Sequence, residues 1–390
     1  MPLFMLNAPI PNLRWRDAVY GGIKKAVRVT AGPRAYSWIA AKYGWGLTLV
    51  NYWLMRLPGL HLLVRIGAWP HALYIEGTNI CNAECVFCAY PEMQRPKKVM
   101  PMDFFKTVID QYVCAGGTEV DLTPIVGDPF VDGKIFERLD YLAEKPGIRR
   151  FHFFTNAIGM RPLLSGQLLK YGSHLKVNIS FGGFDQETYH KVFGVDKFEV
   201  VVPHIKALIE AKRGSDSGLG IQINLRTPQD NNRGAFWDYL LSAKREGLIE
   251  LTWMGAYDSW AGHIKEEYLT EAGLKARPMP VKKGPCHRLL TSPVVLADGR
   301  VNACACRDVE ASLIIGDIHK QSLTDILSGP DIYDLVDRHA RGDFPEVCRR
   351  CTYYAPVYPY WLIGQPHYKD PSAPVEAERS AGLSVENASE

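Results

Sequence analysis

The segment Glu76-Gly-Thr-Asn-Ile-Cys81-Asn-Ala-Glu-Cys85-Val-Phe-Cys88 places three cysteines in a C-x3-C-x2-C spacing. Three thiolates on one loop can each bind one iron of a [4Fe–4S] cube and leave the fourth iron open. An open iron suits a redox cluster that must bind a substrate atom directly. One electron can then pass into a sulfonium held there and break a carbon–sulfur bond. Zinc is the plainer alternative, but it takes four N or S ligands and this loop offers no fourth.

Cys286, Cys304, Cys306, Cys348 and Cys351 form a second group. Cys286 and Cys304 flank Gly299 in the pattern C-x12-G-x4-C, and a C-x2-C pair closes the group at 348–351. Residues 291–302 read as two strands joined at Asp298-Gly299, a hairpin signal. A thiolate, a hairpin carrying another and a distant pair can close round one metal centre. A structural zinc ribbon competes with an iron–sulfur cluster here, because four cysteines ending in C-x2-C suit zinc. Cys114, the ninth cysteine, falls in a helical pattern and is assigned to the core. Without a secretory signal at the start, clustered cysteines argue for metal or cluster ligation over disulfides.

The elements that must hold these groups alternate between strand-like and helix-like stretches over 71–256. Short apolar or alternating runs predict strands at 71–76, 119–126, 150–155, 174–181, 219–225 and 250–254. Helical patterns start after Asp103 and recur at 134–145, 161–171, 197–212 and 233–245. Such alternation predicts an α/β fold with parallel strands and helices outside. Six units predict a partial (β/α)6 barrel, open on one side for a substrate. Around it the reading places a basic helical extension at 1–70, the barrel core at 71–260 and a polar linker at 261–285. A small second unit at 286–364 then carries the later cysteines. The tail at 365–390, rich in Pro, Ser, Ala and Glu, is read as disordered.

With the cysteine loop following a strand, residues 70–260 resemble the radical S-adenosylmethionine (SAM) superfamily. That resemblance implies that the open iron is chelated by the amino and carboxylate groups of SAM, with Phe87 near the adenine. Thr123-Pro-Ile-Val-Gly127-Asp128-Pro129 is similar to the superfamily's Gly-Gly-Glu-Pro segment, which receives the methionine amino group. Val126 stands where that motif has its first glycine, and Asp128 offers a carboxylate one methylene shorter than its glutamate. Thr155-Asn156 resembles the Thr-Asn that ends the third strand of many relatives. The segment Asn178-Ile-Ser180-Phe-Gly182-Gly183 resembles the one near the SAM ribose and carboxylate. Arg226, ending the fifth strand, is suited to pair with that carboxylate. Residues 286–351 resemble the superfamily's SPASM and shorter twitch extensions. No cysteine follows Cys351, so the resemblance implies one auxiliary [4Fe–4S] cluster, on Cys286, Cys304, Cys348 and Cys351, with Cys306 a spare thiol or a substitute ligand. This layout is most similar to twitch-type aminocyclitol dehydrogenases.

The composition is that of a globular protein: 390 residues, 47% hydrophobic, 22% charged, net charge +3. So small a net charge gives no argument for nucleic acid as a partner. The net positive charge concentrates in the first 70 positions, which carry nine Lys and Arg against a single acid, Asp17. A basic start with Trp and Leu is compatible with a solvated face, and also with peripheral contact to an anionic membrane through residues 1–65. The apolar run at 43–67 is interrupted by Arg56, Pro58, His61 and Arg65, short of a membrane span. The expected location is cytoplasmic, with that peripheral contact open.

In the mechanism the resemblance implies, SAM yields a 5′-deoxyadenosyl radical that removes a hydrogen atom from substrate carbon. A donor such as flavodoxin or ferredoxin supplies the electron. The auxiliary cluster then takes an electron from the substrate radical and a base takes the proton. Tyr257, Asp258, His263, Glu266 and Glu267 are candidate bases, none of them singled out. A small polyol, sugar or aminocyclitol is the favoured substrate. A peptide or protein and a lipid-linked substrate are the alternatives, and a non-enzymatic electron-transfer or zinc-ribbon protein is the remaining class.

Overall fold

The computed structural model describes residues 72–228 and 232–357. The extension at 1–70 and the tail at 365–390 lie outside the described residues. The expected alternation is present as β1 (Leu73–Ile75), β2 (Glu119–Asp121), β3 (Arg150–Thr155), β4 (Leu175–Phe181), β5 (Gly220–Leu225) and β6 (Glu250–Trp253). These six strands pair in parallel in sequence order. Helices α1 (Met102–Cys114), α2 (Ile135–Glu144), α3 (Ser165–Leu169), α4 (Gln186–Phe193), α5 (Phe198–Arg213) and α6 (Ala235–Arg245) fill the crossovers.

Strand parity separates two faces. Leu73, Val120, Phe151, Phe153, Val177, Ile179, Ile221 and Ile223 are buried in the main core, together with Phe105, Ile109, Leu139, Ile205 and Leu208 from the helices. The opposite parity carries Tyr74, Asp121, His152, Asn178, Gln222 and Asn224, which line an interior cavity. The polar alternation inside otherwise apolar strands thus marks the lumen of a partial barrel.

Several elements differ from expectation. β2 stops at Asp121, because Pro124 has no amide for a ladder and the Thr123 amide donates to Asp121 Oδ1 at 2.9 Å. The 161–171 stretch divides into a 3₁₀ turn at Pro162–Leu164 and the short α3. α4 was not expected. It begins with a capping box between Asp185 and Thr188, and ends on Gly194 at φ 69°. Residues 261–285 are packed rather than a bare linker. α7 (Glu266–Glu271) buries Leu269, and Tyr257 bridges to Ala276. Cys114 is exposed at the end of α1, not in the core.

The later cysteines belong to a unit that continues the barrel sheet. β7 (Val294–Val295) pairs in parallel with β1, then antiparallel with β8 (Arg300–Asn302), which pairs with β9 (Ile314–Asp317). The hairpin forms where Asp298-Gly299 predicts it, with Gly299 at φ 95°. Four helices complete the unit: α8 (His287–Thr291), α9 (Leu323–Leu327), α10 (Pro330–Ala340) and α11 (Glu346–Arg350). A buried ion pair fastens the two parts. Glu76, just after β1, accepts from Arg95 at 2.8 Å and from the Ala297 amide at 3.2 Å. Arg95 Nε donates to the Val309 carbonyl at 2.6 Å.

Candidate active site

The first cysteine loop leaves β1 and is held on three sides. From below, the Asp128 amide donates to the Ile80 carbonyl at 2.9 Å. Gly127 makes this approach possible. It has φ 112°, and a Cβ there would lie 2.5 Å from the Thr78 carbonyl oxygen. From one side, the Glu84 and Val86 amides donate to the Phe193 and Val192 carbonyls at the end of α4, each at 3.1 Å. From above, Trp260 Nε1 donates to the Phe87 carbonyl at 2.9 Å. The unexpected α4 is therefore part of the mount for this loop.

Cys81, Cys85 and Cys88 all open onto the interior cavity of about 690 Å³. Burial raises each thiol: Cys81 to about 12, Cys88 to about 11 and Cys85 well above its usual value. Thiols so far from water stay protonated until a metal displaces the proton. Asn156 Nδ2 lies 3.8 Å from Cys81 Sγ, an N–H donor aimed at the sulfur, the kind of contact that tunes a cluster thiolate. Among the described residues no three His, Cys, Asp or Glu side chains converge as the ligands of one ion would. A cube gives each thiolate its own iron, and the donor set fits that group.

The remaining predicted residues gather on the same wall. Phe87 packs against Phe193 and Tyr257, each at 5.6 Å between ring centroids, with the Arg226 guanidinium 5.2 Å above its ring. Gly127, Asp128, Asn156, Ser180 and Arg226 all line the cavity. Asp128, expected to meet an ammonium, is already engaged by the chain. Its carboxylate accepts from Thr155 Oγ1 and the Asn156 amide, both at 2.8 Å, and from the Phe130 amide at 3.0 Å. Burial raises its pKa against those hydrogen bonds. Asp128 therefore sets the Thr155-Asn156 turn, and Asn156 in turn reaches Asn82 Oδ1 at 2.8 Å.

The second cysteine group lies across the cavity. Burial raises Cys286, Cys348 and Cys351 (the last to about 12); the charge of Cys286 adds to the effect on Cys348 and Cys351, and that of Cys306 to the effect on Cys286. The Tyr353 amide donates to Cys351 Sγ at 3.3 Å and the Cys306 amide to Cys304 Sγ at 3.5 Å. Cys304 hydrogen-bonds to Cys306, which raises the first thiol and lowers the second. Of the five cysteines only Cys306 faces the cavity, beside Arg288, Arg307 and Tyr353.

Of the candidate bases, Tyr257 and Asp258 line the cavity, whereas His263, Glu266 and Glu267 are exposed on the outside. Asp258 is neutralised by Arg307 at 2.6 Å. Burial holds the Tyr257 hydroxyl at about 12, a poor proton acceptor near neutrality. Sequence reasoning missed a better pair. Asp121 and His152 are register partners on β2 and β3 and meet at 3.1 Å inside the cavity. Their signal was polar residues on the inward parity of apolar strands.

A family model for the radical SAM superfamily matches residues 75–225, and one for the SPASM iron–sulfur cluster-binding domain matches residues 286–352. GTP 3′,8-cyclase of Pasteurella multocida (strain Pm70) is 23% identical over 227 residues, covering 55% of this chain and 64% of that protein. A probable GTP 3′,8-cyclase of Saccharolobus islandicus (strain M.14.25 / Kamchatka #1) is 27% identical over 149 residues, or 38% of this chain and 47% of that protein. The chain thus spans about half to just under two thirds of these curated relatives. Among solved structures, Streptococcus suis SuiB bound to precursor peptide SuiA superposes with a TM-score of 0.54 at 15% identity, covering 92% of this chain and 86% of that one. BtrN in complex with AdoMet and 2-DOIA gives 0.49 at 14%, covering 74% and 95%. Among the described residues no helix is long and apolar enough to cross a membrane. The chain therefore carries a radical SAM domain at residues 75–225 and a C-terminal SPASM iron–sulfur cluster-binding domain at residues 286–352.

Proposed function

We propose that this enzyme oxidises a hydroxyl-bearing carbon of a small polar substrate held between its two cysteine groups. The carrying observation is the cavity itself. One space runs from Cys81, Cys85 and Cys88 to Cys306 and Tyr353, and donors with no partner among the described residues face it: Asn224 Nδ2, Arg226 Nε and Arg288 Nε. Buried donors are rarely left unpaired, so an oxygen-rich ligand matches this wall. Near Asn224, Gln222 and Thr252 complete a hydrogen-bonded polar strip at 2.7 to 3.2 Å.

In this reading Cys81, Cys85 and Cys88 hold the SAM-binding cluster. Cys286, Cys304, Cys348 and Cys351 hold one auxiliary cluster, and Cys306 remains a thiol. When bound, the clusters and SAM supply a hydrogen-abstracting radical and an electron acceptor. The chain supplies position and proton transfer. Phe87, Gly127, Asn156, Ser180 and Arg226 form the SAM wall, with Arg226 Nε, buried without a partner among the described residues, offered to a carboxylate. Oxidising the carbinol carbon removes one hydrogen atom, one electron and one hydroxyl proton, and His152, oriented by Asp121, takes the proton.

The test counts iron after anaerobic reconstitution. Wild type and Cys306→Ser should each hold about eight irons, from two four-iron clusters. The Cys81/Cys85/Cys88→Ala triple variant should keep half and release no 5′-deoxyadenosine. If the triple variant loses all its iron and takes up zinc instead, the later cysteines form a structural site and the oxidative reading fails.

A further inference from the structure

Five cationic side chains and two histidines, His152 and the exposed His174, line the cavity, and the counter-charges of the five cations and of His152 can be assigned one by one. Arg150 pairs with Glu119, His152 with Asp121, Lys176 with Glu250 at 2.8 Å, and Arg307 with Asp258 at 2.6 Å. Arg226 and Arg288 are left without a carboxylate among the described residues. They differ in surroundings. Arg226 lies over Phe87 of the first cysteine loop, where the proposed reading places the SAM carboxylate. Arg288 lies two residues past Cys286 of the second group, with Nη2 donating to Tyr353 Oη at 3.1 Å and its guanidinium 5.0 Å from that ring's centroid. Its Nε is sealed from solvent without a partner.

A guanidinium withdrawn from water without an anion is costly, and restoring a counter-charge recovers that cost. The groups around Arg288 supply only a shared one: the Cys306 thiol, lowered by its hydrogen bond with Cys304, lies close enough to be drawn further toward its charged form by Arg288 and Arg307 together. Tyr353 is a phenol shared with Arg307, whose guanidinium lies 4.3 Å from the ring centroid, and Asp258 is already committed to Arg307. Tyr74, also lining the cavity, is a second phenol. The wall therefore presents two guanidiniums packed on the Tyr353 ring, with the one carboxylate, Asp258, on Arg307, and the planar fork of Arg288 is suited to two oxygens of one ligand group.

We infer that Arg288, flanked by Arg307 and Tyr353, is a binding site for an oxyanion group of the substrate, a carboxylate or a phosphate. This rests on the reading that the cavity between the cysteine groups holds substrate. It deepens that reading by making the substrate an anion, anchored at the auxiliary end with its reacting carbon toward SAM. An uncharged sugar or cyclitol would bring no further counter-charge to Arg288, which shares Cys306 with Arg307.

The test uses the reconstituted enzyme saturated with SAM, so that Arg226 is occupied, at low ionic strength under anaerobic conditions. It is titrated by calorimetry with inorganic phosphate and separately with acetate. One saturable site for either anion is expected. Losing a charge-assisted bond at Arg288→Gln should weaken it by about 10- to 100-fold. Arg288→Lys should fall between, and Arg213→Gln, on the outer helix α5, should match wild type. Phosphate alone identifies a phosphorylated substrate and acetate alone a carboxylate. The inference is overturned if SAM is cleaved normally yet neither anion binds, or if Arg288→Gln binds as wild type does. It is also overturned if Arg288→Gln loses half its iron, because Arg288 would then serve the auxiliary cluster. Failure of SAM cleavage in wild type would instead defeat the parent reading.

Discussion

Replacing Asp121 with Asn should lower the pKa of His152 and move the proton acceptor's working range to more acidic pH. Burial alone pulls the imidazolium down, but the Asp121 carboxylate outweighs it by charge and hydrogen bond, so the net shift is upward from 6.5. Asp121 is buried and its Oδ2 lies 3.1 Å from His152 Nε2, whose side chain is 31% exposed. A charge-assisted bond in that setting contributes about 1–2 kcal/mol after partial screening, or about one pKa unit. Asn keeps the shape and removes the charge, so burial should then dominate and bring His152 below 6.5. The stability linkage has a definite sign. With its folded pKa raised, His152 contributes stability that is full below its unfolded pKa and lost as pH rises through the folded value. Asp121→Asn should erase that contribution at pH 5–6 and change little at pH 9. The assay is a carbon-13 histidine NMR titration of the holoenzyme, with His152→Gln assigning the resonance, and urea unfolding at both pH values beside it. A His152 pKa at or below 6.5 in wild type, or one that Asp121→Asn leaves in place, refutes the reasoning.

Two further substitutions probe how the site is mounted. Gly127→Ala adds a Cβ 2.5 Å from the Thr78 carbonyl at a backbone φ of 112°, so it should cost about 2–4 kcal/mol and displace the cysteine loop. Weaker iron retention at Cys81, Cys85 and Cys88 is the expected result, and unchanged iron content and unfolding midpoint would contradict it. Glu76→Gln leaves the Arg95 guanidinium buried with a neutral partner and should destabilise by about 3 kcal/mol. Urea unfolding reads this directly, and an unmoved midpoint would show that the Glu76–Arg95 pair does not fasten the SPASM unit to the barrel.

Much of this architecture is written locally in the chain. Six parallel strands follow from alternation of apolar runs, and the Asp298-Gly299 hairpin from its two turn residues, because each is decided by neighbours in sequence. α4 has local signals as well, in the Asp185–Thr188 capping box and the terminal Gly194, although the sequence reading places no helix there. Gly182 and Gly183 serve a different purpose. They let β4 and the start of α4 approach Arg226 and Tyr189 closely. Other features could not be read one segment at a time. Asp128 carries the expected residue type at the expected place, yet its three hydrogen bonds run to Thr155, Asn156 and Phe130. Only the folded arrangement shows that its carboxylate is used. Asp121 and His152 are 31 positions apart and become a pair only through the register of β2 on β3.

The continuity of the sheet bears on how the two cysteine groups work together. Had the SPASM unit been a tethered module, its distance from the first cysteine loop would vary with the linker. Instead β7 is a direct ladder neighbour of β1, and Cys81 follows β1 by a few residues of bonded loop. Glu76 completes the joint: its amide donates to the Val295 carbonyl at 2.8 Å and its carboxylate takes both Arg95 and the Ala297 amide. The packed segment around α7 makes a second joint, with Ser259 accepted by Thr352 Oγ1 at 2.8 Å beside Cys351, and Trp260 donating to Phe87 beside Cys88. Each cysteine group is thus tied to the other through two independent routes, one along the sheet and one across the mouth of the cavity. A substrate between them meets walls held at a fixed separation. Under the proposed oxidation, transfer of an electron from a short-lived substrate radical to a second centre would require such a fixed separation, because orientation must be set before the radical forms.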